Sequence, residues 1–235
     1  VSDESSTWGL FEDYDHSNTR VTHMTVDHEL PLTFWRSVGH SYTAFAKESM
    51  IDELAQAAGI DEVAFRLQNT QNSPRLNNVI RVAGECMADM NVPAGRHLGF
   101  AAHHSFRTDV AEIAEVSVDN GKILVHKVTC VLDCGQAVNP DIVRSQMEGA
   151  VIYGLTAALY GGLNLEDGAI RESNFHDYPM LRMDESPEID VVIIDSGTKP
   201  TGVGEPGLPP IAPAVANAVY KATGQRLRSL PLQLA

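Results

Sequence analysis

Val110-Ala111-Glu112-Ile113-Ala114-Glu115-Val116-Ser117-Val118 is followed by Asp119-Asn120-Gly121 and then by Lys122-Ile123-Leu124-Val125-His126-Lys127-Val128-Thr129-Cys130-Val131-Leu132. Two β-rich runs thus flank Asn-Gly, the strongest short-range signal for a hairpin. Apolar residues fall on both faces of each run, which places the pair inside a covered sheet rather than at a wet edge. Helical patterns on either side of it give an α+β class, two-layer units of helices on mixed sheets.

Downstream, Asn139 is a helix cap with Pro140 at the first helical position. Val143, Met147, Ala150, Val151, Gly154, Leu155, Ala158 and Leu159 then keep one apolar stripe until Gly161-Gly162. Ile189 to Ile194 reads as a buried strand. Ile211, Ala214, Val215, Ala218, Val219 and Ala222 mark a closing helix that starts at a Pro pair and stops at Gly224. Upstream, the first twenty residues read as a polar loop, and Val21 to Val26 and Leu32 to Val38 as short strands separated by His28-Glu29-Leu30-Pro31. A helix follows from about Thr43 to Ala58 with Gly59 as its left-handed stop; Glu62 to Leu67 and Asn77 to Met90 are two further helical stretches. Strand pairs followed by helices occur twice, which divides the chain into a first unit, residues 1–95, and a second, residues 96–235.

Acidic residues outnumber basic ones 31 to 17 and leave a net charge of −14, a field that repels a phosphate backbone or an anionic membrane. Nucleic acid is therefore not an expected partner. No run of about 18 apolar residues occurs and the first residues have no signal-peptide pattern, so the segment reads as soluble. It begins at Val1 without an initiator Met, as a fragment of a longer chain would. The three cysteines, Cys86, Cys130 and Cys134, are too few for a disulfide framework and read as buried thiols. His103 and His104 read as structural, because neighbours on a strand point to opposite faces and cannot easily share one ion. The nine histidines show no zinc spacing.

Thr201-Gly202-Val203-Gly204-Glu205-Pro206-Gly207-Leu208-Pro209-Pro210 surrounds one carboxylate with three glycines and three prolines. Such a backbone is rigid and bare, so another molecule can approach Glu205 closely. On composition alone it reads rather as a Gly/Pro-rich connector whose Glu faces water.

Gly-Val-Gly-Glu-Pro-Gly, residues 202–207, followed by Pro-Pro-Ile-Ala-Pro-Ala-Val-Ala-Asn-Ala, closely resembles the signature of the xanthine dehydrogenase and aldehyde oxidase family of molybdenum hydroxylases. A second match runs from Val131-Leu132-Asp133-Cys134-Gly135-Gln136 through Asn139-Pro140 to Gln146-Met147-Glu148-Gly149. A third, Phe34-Trp35-Arg36-Ser37-Val38-Gly39-His40-Ser41 with Phe45, Glu48 and Asp52-Glu53-Leu54-Ala55 behind it, is similar to the isoquinoline 1-oxidoreductase β-subunit and membrane aldehyde dehydrogenase branch, as is Ser173-Asn174-Phe175-His176-Asp177-Tyr178. The resemblance covers the chain from about residue 20.

It implies a fold of the molybdenum cofactor-binding type and the carboxy-terminal part of a large subunit. The implied reaction is hydroxylation of an N-heterocycle or aldehyde carbon with oxygen taken from water. Glu205 is then the catalytic base, Gln146 and Gly204 contact the molybdopterin, and Arg36 either lines that pocket or holds a neighbouring loop. No protein-ligated metal is implied. Partial desolvation raises a glutamate towards the neutral range where a general base works best, while a helix starting around Pro209 acts in the opposite sense. The cofactor is expected as molybdopterin cytosine dinucleotide, with iron-sulfur clusters on a partner subunit and a c-type cytochrome beyond it, in the periplasm or alternatively the cytoplasm. The family's Gly-Gln-Gly type loop is absent here, so this chain alone is expected neither to hold the cofactor nor to be active. The competing expectation is a scaffold of the same fold that joins subunits without catalysis.

Overall fold

The computed structural model describes residues 4–10, 12–26 and 33–234. Its centre is a four-stranded mixed sheet. β1 (His97–Ser105), β2 (Thr108–Asp119) and β3 (Lys122–Asp133) are antiparallel neighbours in that order. A small separate hairpin, β4 (Leu165–Glu166) with β5 (Ala169–Ile170), precedes β6 (Glu188–Ile193), which lies parallel to β3 and completes the central sheet. The β2–β3 hairpin turns as expected: Asp119 faces Lys122, and Asn120 and Gly121 both take positive φ, 49° and 79°. That is the geometry a two-residue hairpin needs to match strand twist.

The β1–β2 hairpin carries no such sequence signal. Its two-residue turn is Phe106-Arg107, with φ of 51° and 65°, in the left-handed region that bulky side chains rarely enter. It therefore needs support from its surroundings, which the Thr201-Gly202 segment supplies.

Alternation along β1 and β2 sends Phe100, Ala102, Ala111 and Ile113 to one face, where α3 (Pro74–Ala88) covers them with Leu76, Val79, Ile80 and Ala83. Ala101, Ala114 and Val116 go to the other face, beneath α5 (Ile211–Thr223) and beside α4 (Pro140–Tyr160). Each Val, Leu or Ile fully buried in these layers contributes about 1.5 to 3 kcal/mol. α5 can lie this close only because Gly99 has no side chain, since a Cβ there would collide with the Ala214 carbonyl. Gly154 makes the same allowance between α4 and Ile211.

α1 (His40–Ala58) packs on α5 and β1, and α2 (Glu62–Gln68) on α3 and α1. A buried Glu48 ties these layers together. It accepts from Tyr14 Oη at 2.7 Å, Arg66 Nε at 3.0 Å and the Ala102 N–H at 2.9 Å. α1 ends at Gly59, φ 66°, as the sequence predicts, but begins at His40 rather than Thr43. α3 begins at Pro74 rather than Asn77, with Pro at its first position, where the missing N–H costs nothing.

Three expectations are corrected. Val21 to Val26 is not a strand: these residues are largely exposed and pair with no neighbour, and β-rich composition makes a strand only where a partner offers its backbone. Thr33 to Val38 is not one either; Trp35 to Val38 form a turn, with Val38 N–H on Trp35 O at 2.9 Å and positive φ at Ser37 and Val38, 73° and 50°. Leu32 and the separator His28–Pro31 lie outside the described residues. Finally, the strand read at Ile189 to Ile194 stands at an edge of the sheet with only Val191 buried. Among the described residues no helix is long and apolar enough to cross a membrane.

Candidate functional site

Three segments distant in sequence meet where α4 begins, where α5 begins and where the turn at residues 35–39 enters α1. α4 is started by Asn139, whose side-chain oxygen accepts the N–H groups of Asp141 and Ile142 at 3.1 and 3.2 Å. Met147, Val151 and Leu155 are fully buried under it, as the stripe predicts, and Gln146 is left half-buried beside them.

The Glu205 loop is fixed at both ends. Thr201 N–H reaches Cys134 O at 2.9 Å, Gln136 N–H reaches Thr198 O at 2.9 Å, and Thr108 Oγ1 donates to Gly202 O at 2.7 Å. Asp133 anchors the same end, accepting from Gly135 N at 2.8 Å, Ser196 Oγ at 2.8 Å and Arg75 Nη2 at 3.1 Å. Burial by itself would raise the Asp133 carboxyl, but these donors outweigh it and hold the group below its usual range. At the other end the Leu208 N–H closes a turn onto Glu205 O at 3.1 Å. Gly207 sits so close to Met147 Sδ, 2.8 Å from where its Cβ would be, that a larger residue would have to displace the Met147 side chain.

Arg36 joins the segments. Its Nε donates to Gly204 O at 2.8 Å, and its Nη2 lies 3.3 Å from Gln146 Oε1 and 3.5 Å from Gln146 O. The guanidinium also lies over the Tyr153 ring, 5.8 Å from its centroid, and Trp35 packs on Tyr153 at 5.0 Å. Burial lowers the Arg36 pKa from its ordinary value while the Glu205 carboxylate pulls the other way; a guanidinium remains charged through such a shift. Ser37, fully buried, gives its N–H to Glu205 Oε1 at 3.0 Å and its hydroxyl to Glu205 O at 2.8 Å.

All four residues singled out in the sequence, Arg36, Gln146, Gly204 and Glu205, are thus brought together. Sequence reading missed Ser37, whose signal, a residue able to enter the left-handed region within a turn, was hidden by the strand-like composition around it. Tyr153 was missed because Trp35 and Arg36, its partners, lie far off in sequence.

The histidines at 103 and 104 do point apart: His103 is fully buried against His40, and His104 holds Asp109 at 2.7 Å. Cys130 and Cys134 are buried and free, whereas Cys86 is only partly buried; burial raises all three thiols. No group of three or more His, Cys, Asp or Glu is arranged to hold a metal ion among the described residues.

A family model described as a molybdopterin cofactor-binding domain matches residues 38–187. The β chain of isoquinoline 1-oxidoreductase from Brevundimonas diminuta is 37% identical over 229 residues, covering 94% of this chain and 29% of that protein. One of the chains of nicotinate dehydrogenase from Pseudomonas putida is 33% identical over 240 residues, 93% of this chain and 20% of that protein. This chain therefore spans less than a third of either relative. Among solved structures, the aldehyde oxidoreductase from Desulfovibrio desulfuricans superposes with a TM-score of 0.70 over 84% of this chain and 40% of that one. At 16% identity that likeness shows the fold alone.

Proposed function

The chain belongs to the molybdopterin cofactor-binding domains of molybdenum hydroxylase large subunits, and on that premise we propose that it forms the carboxy-terminal, base-bearing part of an enzyme that hydroxylates an N-heterocycle or aldehyde carbon with water-derived oxygen. The observation that carries this proposal is the convergence of Arg36, Gln146 and Gly204 beside Glu205, whose carboxylate accepts from the Ser37 N–H, across sequence separations of 110 and 168 residues.

The residues present fit a molybdopterin. Gly204 is exposed and open space lies where its Cβ would be, as it does at Gly149 on α4, one helical turn beyond Gln146. A flat, heteroatom-rich group can lie against bare backbone of this kind and hydrogen-bond to a half-buried amide. Gln146, Gly204 and Arg36 would hold it, and when bound it supplies the two-electron redox chemistry of the hydroxylation.

Glu205 takes the proton lost as the water-derived oxygen adds to the substrate carbon. The Ser37 N–H fixes Oε1, and Oε2 is the atom that receives the proton. Because Ser37 also holds the Glu205 carbonyl, the carboxylate is oriented before substrate arrives, and preorganisation of this sort is where much of a general base's effect arises. Arg36 keeps Gly204 and Gln146 in register on the same side.

The remainder of the large subunit, a small iron-sulfur subunit that accepts the electrons and a c-type cytochrome beyond it complete the proposed assembly, with the cofactor in its cytosine dinucleotide form. The test is molybdenum and pterin content of the complete, partner-bound protein, together with dye reduction by N-heterocycles and by aldehydes. Stoichiometric molybdenum with turnover of one class supports the proposal; a folded complex without molybdenum overturns it.

A further inference from the structure

Behind the turn that carries Arg36 and Ser37 lies a buried pair of imidazoles that the chemistry above does not use. His40, the first residue of α1, places Nδ1 2.9 Å from Nε2 of His103 on β1. His103 is fully buried and His40 nearly so. Trp8 closes one side at 5.9 Å from His40 and Phe106 another at 5.5 Å. Gly9, φ 85°, lies so near that a Cβ there would come within 2.8 Å of His40 Nδ1 and 2.7 Å of His103 Cε1.

Burial comes first in setting the pair's protonation, and the groups facing it come second. Lys47 from α1 and His104 from β1 oppose a positive charge on either ring, while Asp13, ion-paired to Lys47, stands 3.6 Å from His103 Nδ1. Burial is the largest effect and holds both rings neutral, His40 with a pKa lowered to about 4. A neutral pair shares one hydrogen across its bond. Among the described residues His103 Nδ1 makes no hydrogen bond, and the Asp13 carboxylate at 3.6 Å favours a hydrogen there; in that tautomer Nε2 accepts from His40 Nδ1–H.

The turn that precedes His40 is strained. Ser37 and Val38 both take positive φ, and Gly39 is pressed onto the Ser5 carbonyl where no side chain fits. Two left-handed non-glycine residues in succession persist only where their surroundings over-determine them. The same imidazole cage reaches the other side of the site, because Phe106 lies against Gly202, 3.6 Å from where a Cβ would stand.

We propose that the His40–His103 pair is a positioning device which locks the turn at residues 35–38, left-handed at Ser37 and Val38, and so delivers the Ser37 N–H to Glu205 Oε1. The proposal rests on Glu205 as base for its effect on turnover, but not for its effect on structure, and the experiment separates the two. In the complete, partner-bound protein, His40→Leu and His103→Leu remove the bond between the rings. His40→Asn keeps a donor near the Nδ1 position, and His103→Gln keeps an acceptor near Nε2. Crystal structures of the four variants report the Ser37 N to Glu205 Oε1 contact, and kcat and KM are measured in preparations matched for molybdenum.

The expected result is loss of that contact in the Leu variants with a fall in kcat of about 10²-fold, the usual consequence of misplacing a catalytic group by an ångström, KM unchanged, and recovery of both contact and kcat in His40→Asn and His103→Gln. If the contact survives in the Leu variants, the positioning role is wrong. If it is lost while kcat holds, the positioning stands and the Ser37 N–H is not needed for turnover, while Glu205→Gln tests the base separately. Should the Leu variants fail to fold, the Asn and Gln variants decide, and loss of the contact in them overturns the proposal.

Discussion

Ser37 donates its backbone N–H to Glu205 Oε1 at 3.0 Å across 168 residues of sequence, from a turn whose φ of 73° at Ser37 aims that N–H at the loop. A β-conformation at residues 33–38 would direct the same group elsewhere, so the strained turn and the oriented carboxylate stand or fall together. Ser37→Pro, which removes the donor and forces φ to about −65°, is expected to cost at least tenfold in kcat at matched molybdenum content. Ser37→Gly, free to adopt positive φ, is expected to keep most activity. Equal activity of the two variants would mean that the N–H does not matter.

Gln146 touches Arg36 and otherwise projects from the first turns of α4, half-buried, while its neighbour Met147 carries the packing. Gln146→Ala should therefore lower molybdenum occupancy of the complete protein while shifting unfolding by only about 0.5 to 1.5 kcal/mol, the worth of one polar contact. Metal analysis beside a denaturation curve checks both halves. Unchanged occupancy and unchanged turnover would remove Gln146 from the site.

The fold was legible where local signals are strong. Asn120-Gly121 turned the hairpin, Asn139-Pro140 started α4, and Gly59 and Gly224 stopped α1 and α5. It was illegible where tertiary contacts override local preference. Phe106-Arg107 turn a hairpin without any favourable turn residue, held by Thr108 on Gly202, and the β-rich run ending at Val38 folds as a turn because Ser37 and Arg36 find their partners on the distant Gly204-Glu205 loop and on α4. In the site, the Gly/Pro pattern left Glu205 open between a site and a connector and the family resemblance singled it out, whereas the Arg36 hydrogen bonds to Gly204 and Gln146 follow only from the packing of the three segments.

Glu48 is buried with three donors, Tyr14, Arg66 and Ala102 N, and Arg66 is equally buried against it. Removing one partner strands the other charge, so Arg66→Met should destabilise the protein by about 3 to 5 kcal/mol. The double variant Glu48→Gln/Arg66→Met should recover part of that loss. Urea unfolding of the three proteins measures it, and a single-variant loss below about 1 kcal/mol would mean that the pair is solvated enough to behave like a surface ion pair.

His40 is held neutral in the folded state with a pKa of about 4, against about 6.5 for a free imidazole. The unfolded chain thus binds the proton first as pH falls. The contribution of His40 is fully present above about pH 6.5 and is lost progressively as pH drops through the folded value. Stability measured from pH 7 to pH 4 should decline, and His40→Asn, which cannot titrate, should flatten part of that decline. An identical slope in the variant would show that other groups set it.

Glu205→Gln keeps the shape of the Gly204–Gly207 turn and leaves an oxygen to accept the Ser37 N–H, but it cannot take a proton. The most direct test of Glu205 as the base is therefore kcat of Glu205→Gln and of the parent in the complete complex, matched for molybdenum. A general base contributes about 10² to 10⁴ in rate, roughly 3 to 5.5 kcal/mol at 1.36 kcal/mol per tenfold. The account predicts a fall in kcat of that size with folding and molybdenum content intact. A variant that turns over within about tenfold of the parent, below the range for general-base catalysis, would contradict it.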